Sequence, residues 1–154
     1  MDLRRKCNGA MHSTEATGIR CQGTGGRCQE KDKNMGHSSF EDLEVFQRAY
    51  KISLEIHKAS LRFPSVEQYG LGKQIRNASK SICANIAEGF GKRSYSQAEW
   101  MRYLKVAVGS SDEMRVWTRY CLDLGYVNES TWQKWSTEYK EISRMLQGLI
   151  KHWS

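Results

Sequence analysis

The chain has 154 residues, with 24 Lys and Arg against 17 Asp and Glu, 39% hydrophobic residues and a single proline. That length fits one compact domain, the part after residue 34 holds 17 basic against 13 acidic residues, a modest +4 far from histone-like, and no run approaches the roughly 18 apolar residues of a membrane span. The basic start leads into no apolar h-region, so a membrane protein, a collagen-like repeat and a secreted disulfide scaffold are excluded, and a cytoplasmic setting is expected.

Residues 1–39 are expected to be a disordered extension. They contain Gly9, Gly18, Gly23, Gly25, Gly26 and Gly36, no aromatic residue, and only Leu3 and Ile19 as branched aliphatics. Such a segment buries too little apolar surface to offset its chain entropy. Cys7, Cys21 and Cys28 lie 14 and 7 residues apart, which matches no CxxC zinc pattern. With His12 and His37 nearby a loose metal site is conceivable, but solvated thiols and no metal are the expectation. Cys83 and Cys121 fall in apolar periodic stretches and read as small core residues. Met35 stands just before the folded part, residues 40–154, which suggests that residues 1–34 lie upstream of the true start.

From Phe40 onward the apolar spacing is helical. Ser38 and Ser39 offer an N-cap, and Glu41 and Asp42 suit the positive end of a helix. Two apolar stripes follow, Leu43, Phe46, Tyr50 and Leu54, then Val45, Ala49, Ile52, Ile56 and Ala59, so this helix is expected to be covered on two sides. Pro64 stops it. The second helix starts near Leu71 and carries Leu71, Ile75, Ala78, Ile82 and Ile86 within one arc; Gly89 and Gly91 are its expected terminators.

Ser96-Gln97-Ala98-Glu99 reads as a capping box for a third helix of roughly 40 Å, ending at Gly125. In its middle, Gly109-Ser110-Ser111 predicts a close helix–helix contact or a bend. Asn128 caps the fourth segment, where Trp132, Trp135, Tyr139, Ile142, Leu146, Leu149 and Trp153 repeat at alternating three and four residues, a heptad seam. Four helices with short connections predict an all-α, antiparallel up-down four-helix bundle.

These segments carry a resemblance. Phe40-Glu41-Asp42-Leu43-Glu44-Val45-Phe46-Gln47, then Tyr69-Gly70-Leu71, Gln74-Ile75-Arg76, Ser81-Ile82 and Asn85-Ile86-Ala87-Glu88-Gly89 resemble the 23S rRNA intervening-sequence proteins. Tyr103-Leu104, Gly109-Ser110, Glu113 and Leu124-Gly125-Tyr126 continue the likeness, which covers residues 40–127. The resemblance implies a bacterial protein of the cytosol that assembles into a homopentameric ring. Relatives that serve diversity-generating retroelements work with a reverse transcriptase, so the resemblance also implies nucleic acid or a protein as partner. Members usually carry a basic residue where this chain has Val108.

Charge points the same way without the family. Between Lys73 and Lys105 stand Lys73, Arg76, Lys80, Lys92, Arg93, Arg102 and Lys105 against Glu88 and Glu99. Lys73, Arg76 and Lys80 share an arc of about 60° opposite the apolar stripe of the second helix, which predicts an exposed cationic face. Such a face suits phosphates, since each neutralised phosphate releases counterions; a merely solvated face has the same composition. Trp100 and Tyr95, beside the Lys92–Arg93 turn, are candidates for base stacking, with core packing the alternative. Asn85 is expected to bond across to another helix or to the helix exit, and Glu88 to hold Arg76 or another cation; with Gly89 and Gly109 they are read as structural. No HExxH, Walker A or GxSxG pattern occurs. The expectation is a non-enzymatic oligomer without cofactor that binds RNA, the alternative a ring that docks a protein.

Overall fold

The structure, a computed structural model, describes residues 38–154. Residues 1–37 of the expected extension, with Cys7, Cys21 and Cys28, lie outside the described residues, while Ser38 and Ser39 belong to the folded part. Ser39 accepts a hydrogen bond from the Glu41 N–H at 3.2 Å, and Asp42 takes the Ser39 N–H at 2.9 Å. This capping box closes a 3₁₀ turn, Phe40–Asp42, and the first long helix, α1 (Glu44–Ser60), begins only after Leu43. Three further helices follow: α2 (Leu71–Lys92), α3 (Gln97–Asp123) and α4 (Glu129–Trp153), with no strand among the described residues.

The caps stand where the sequence puts them. Ser96 accepts from the Glu99 N–H at 3.2 Å and Asn128 from the Thr131 N–H at 2.9 Å, each satisfying a donor that the first helical turn leaves open. Gly125 has φ 75°, and its N–H returns to the Leu122 carbonyl at 2.8 Å, so the chain leaves α3 through a left-handed residue. Gly89 and Gly91 terminate nothing: α2 runs through both to Lys92.

Burial follows the periodic arcs. Val45, Ala49, Ile52 and Ile56 of α1 meet Ile75, Ala78, Ile82 and Ile86 of α2 in one core. Trp100, Leu104, Ala107, Met114 and Cys121 from α3 and Trp135, Tyr139, Ile142 and Leu146 from α4 complete it. α2 packs against α1 and α3, and α4 against α3 and α1. Among the described residues the stripe of α1 led by Leu43 is covered only at its start, where Leu43 is buried and Phe46 packs against the core. Tyr50 and Leu54, further along it, stay 52% and 44% exposed.

Polar pairs fix how the helices meet. Arg48 forms a bidentate pair with Glu138, both contacts 2.8 Å, and the Trp135 indole donates to Glu55 at 2.8 Å, joining α1 to α4. Burial opposes the charge on Glu55, but hydrogen bonds from Lys134 and Trp135 outweigh it and hold the carboxyl below its ordinary pKa. Ser110 and Ser111, both buried, make the close contacts expected of the third helix: Ser110 bonds Ser81 of α2 at 3.0 Å, and Ser111 donates to the Tyr139 carbonyl of α4 at 3.0 Å. Gly109 does not share in them, since a Cβ built on it meets nothing within 4 Å.

Candidate functional site

The seven predicted cations divide into two groups. Arg76 turns inward: its guanidinium donates to Ser60 Oγ at 3.0 Å, to the Gln68 side-chain oxygen at 3.3 Å and to the Gln68 carbonyl at 2.7 Å. Gln68 in turn donates to the carbonyls of Ser60 and Phe63 at 3.0 and 2.9 Å. A planar fork with fixed donors suits that task, and Arg76 therefore pins the α1–α2 connection where an exposed phosphate contact was expected. Helical periodicity places it on the outer arc, but a long side chain reaches sideways, which no spacing rule registers.

The turn after α2 is neutralised from within. Lys92 donates to the Tyr103 hydroxyl at 2.7 Å and to Glu88 at 3.1 Å, while Tyr103 donates to Glu88 through a very short bond. The Tyr103 hydroxyl and Lys92 hold the Glu88 carboxyl below its usual range; Tyr103 and Glu88 hold the Lys92 ammonium above its own. Glu88 thus pairs with Lys92, not Arg76. Arg102 is paired with Glu99 at 3.1 Å, and Arg93 lies over the Phe90 ring, 3.6 Å from its centroid. Trp100 is 1% exposed and packs edge-on against Phe90, which removes it as a stacking surface.

Asn85 bonds back along its own helix, to the Ser81 carbonyl at 2.7 Å and the Ser81 hydroxyl at 3.0 Å. Its link to α3 is indirect, because Ser81 bonds Ser110. Gly89 has a packing role: a Cβ there would lie 2.7 Å from the Trp100 ring and 2.7 Å from the Tyr103 Cβ.

Lys73, Lys80 and Lys105 remain exposed and enter none of the ion pairs among the described residues. They are not one patch. Lys73 and Lys80 lie on the outer arc of α2, whereas Lys105 lines a cleft of about 610 Å³ with Met101, Arg102 and Trp153, between the start of α3 and the end of α4. Residues outside the predicted set belong beside Lys73. Lys58 and Arg62 are exposed and make no ion pair among the described residues, and Tyr69 is 88% exposed. In the sequence Tyr69 is one more aromatic; its signal is position, between a 3₁₀ turn at Ser65–Glu67 and the first residue of α2. Among the described residues no group of three or more His, Cys, Asp or Glu is placed to hold a metal ion, and no helix is long and apolar enough to cross a membrane.

Four packed helices of this length and order define an all-α bundle, and the comparisons with known proteins place it. The family model of the 23S rRNA-intervening sequence protein matches residues 41–148, and the chain belongs to that family. A crystal structure of a protein with unknown function from the S23 ribosomal protein family of Bacteroides thetaiotaomicron has the same fold. Its TM-score is 0.63 at 21% identity, over 70% of this chain and 95% of that one. No curated protein matches the chain.

Proposed function

We propose that the protein is a non-enzymatic, cytoplasmic oligomer, a homopentamer as the family resemblance implies, that holds RNA on the outer face of α2. The observation that carries this reading is that Lys73 and Lys80 stand exposed there and enter no ion pair among the described residues, with Asn77 between them and no carboxylate in the sequence from Lys73 until Glu88. They lie about 10 Å apart along the helix axis, a spacing that lets each meet its own phosphate. Two lysines per copy bind weakly, and repetition around a ring converts them into avidity.

The test is binding of a fluorescent single-stranded RNA across a salt series. The parent should bind with a negative slope of log affinity against log salt, each phosphate contact contributing about 0.7 for a single strand. Changing both Lys73→Glu and Lys80→Glu should weaken binding for every sequence and flatten that slope, with the assembly intact by light scattering. Binding that is insensitive to salt in the parent, or equal in parent and variant, would remove the RNA reading.

A second reading has its own support. Val106, Val116 and Tyr120 of α3, and Leu124 just beyond its end, are 44–53% exposed on one side of the helix. A ring that docks a protein such as a reverse transcriptase would use a face of this kind. Capture of one protein at high salt, without RNA binding, would favour it.

A further inference from the structure

We infer that Tyr69 is a stacking platform for an unpaired base, so that the α2 face selects single-stranded over duplex RNA. This rests on the RNA reading above and adds to it the class of strand.

The argument starts from how firmly the backbone around Tyr69 is held. On one side Gln68 is tied three ways: its amide to the Ser60 and Phe63 carbonyls, its own carbonyl to Arg76. On the other side the Leu71 N–H donates to Glu67 at 3.0 Å, and Glu67 also accepts from the Tyr126 hydroxyl at 3.3 Å. Both neighbours of the ring are thus anchored to the body of the bundle. The Tyr69 side chain itself makes no hydrogen bond and no ring contact among the described residues, and it is 88% exposed. A large ring held in water on a rigid turn contributes nothing to this core, whereas Phe63, six residues earlier on the same connection, is 6% exposed and packs on Tyr126.

The surroundings of Tyr69 carry the complementary chemistry. Lys73 stands four residues further on, in the first turn of α2, with Asn77 and Lys80 on the same arc of that helix. Arg62 sits on the connection that Gln68 draws back against the end of α1. The nearest carboxylate, Glu67, is engaged by Leu71 and Tyr126. An exposed aromatic ring close in the chain to cations that enter no ion pair among the described residues is the arrangement that binds unpaired strands: the cations follow the phosphates while a base stacks on the ring. A duplex keeps its bases stacked inside and offers the ring no such face. Tyr95, 75% exposed at the far end of α2, lacks this setting because Lys92 beside it is paired.

The experiment compares the full chain with Tyr69→Ala and Tyr69→Phe, on a single-stranded RNA and a hairpin duplex of equal charge. Tyr69→Ala should weaken single-strand binding on the order of ten- to a hundredfold, the loss expected for one stacked base. Duplex binding and the salt slope should stay as in the parent, since the ring carries no charge, and Tyr69→Phe should retain the parent's affinity. Equal binding by Tyr69→Ala, or an equal loss on both RNAs, would overturn the inference, as would dissociation of the oligomer by this substitution. If Lys73→Glu with Lys80→Glu abolishes binding while Tyr69→Ala leaves it unchanged, only the stacking role falls. If the parent binds neither RNA, the RNA reading and this inference fall together.

Discussion

Gly89 lies directly beneath Tyr103: a Cβ on the glycine would stand 2.7 Å from the Tyr103 Cβ, and the hydroxyl of the same tyrosine reaches Glu88, the residue before the glycine. The absence of a side chain at one position thus lets α2 approach α3 closely enough for the preceding residue to join a polar network. Packing and electrostatics here depend on a single residue choice.

Gly89→Ala should therefore destabilise the protein. Ala is ordinarily the better helix former by about 1 kcal/mol, but the added methyl would press on Trp100 and Tyr103 in a dense contact, where overpacking costs about 1–3 kcal/mol. Urea denaturation should show a lower midpoint with an unchanged slope. An unchanged or raised midpoint would mean that the helices move apart freely.

The Glu88–Tyr103–Lys92 network makes a prediction in pH. The folded carboxyl of Glu88 lies below its ordinary 4.5, so its contribution is present above that value and is lost as pH falls through the folded pKa. Lys92 is raised above 10.5, so its contribution is present below that value and is lost as pH rises through the folded pKa. Tyr103→Phe removes the shared hydroxyl. The stability gap between parent and variant should be widest near neutral pH and narrow towards both extremes, read by thermal unfolding across the pH range. A gap constant with pH would show that the hydroxyl acts through packing alone.

How much of this was legible in the sequence varies with the physics involved. The four helices and the caps at Ser96 and Asn128 depend on local spacing and composition, which a single sequence displays. The fate of each cation does not. Arg76 and Lys73 look alike on a helical arc, yet Arg76 meets Gln68 and Ser60 because a connection of particular shape brings those acceptors within reach. Lys92 is paired with Glu88 four residues back, but the hydroxyl that joins the two comes from Tyr103, eleven residues away on another helix. Gly89 reads as a helix terminator and Gly109 as a packing glycine, and only the packing of the helices shows Gly89 crowded and Gly109 open.

Arg76→Ala should cost stability without weakening RNA binding. It removes charge-assisted hydrogen bonds to Ser60 and Gln68, each worth about 1.5–3 kcal/mol at most, and leaves Gln68 with acceptors unfilled. Arg76→Lys should recover little, since one ammonium cannot reproduce the fork. Chemical denaturation gives the first result and RNA titration the second. A loss of RNA affinity in a fully stable variant would return Arg76 to the phosphate-binding group.

The last prediction concerns the outer face of α3. Val106, Gly109, Glu113, Val116 and Tyr120 alternate three and four residues apart, the spacing of a second seam, and this one faces away from the core. Val106, Val116 and Tyr120 are half-exposed, and Gly109 stands among them with open space above it. In an exposed helix interior a glycine is about 1 kcal/mol worse than alanine, so its place on this seam is explained if a helix of another copy passes close over it. Val116→Lys with Tyr120→Lys should then give a helical monomer by circular dichroism and light scattering. In that monomer Gly109→Ala should raise stability by about 0.5–1 kcal/mol, as for any open helical site. In the parent the same Gly109→Ala should loosen the assembly, because the methyl would meet the neighbouring copy. If Gly109→Ala stabilises both equally, no second copy covers this face, and the exposed seam is left for a different protein.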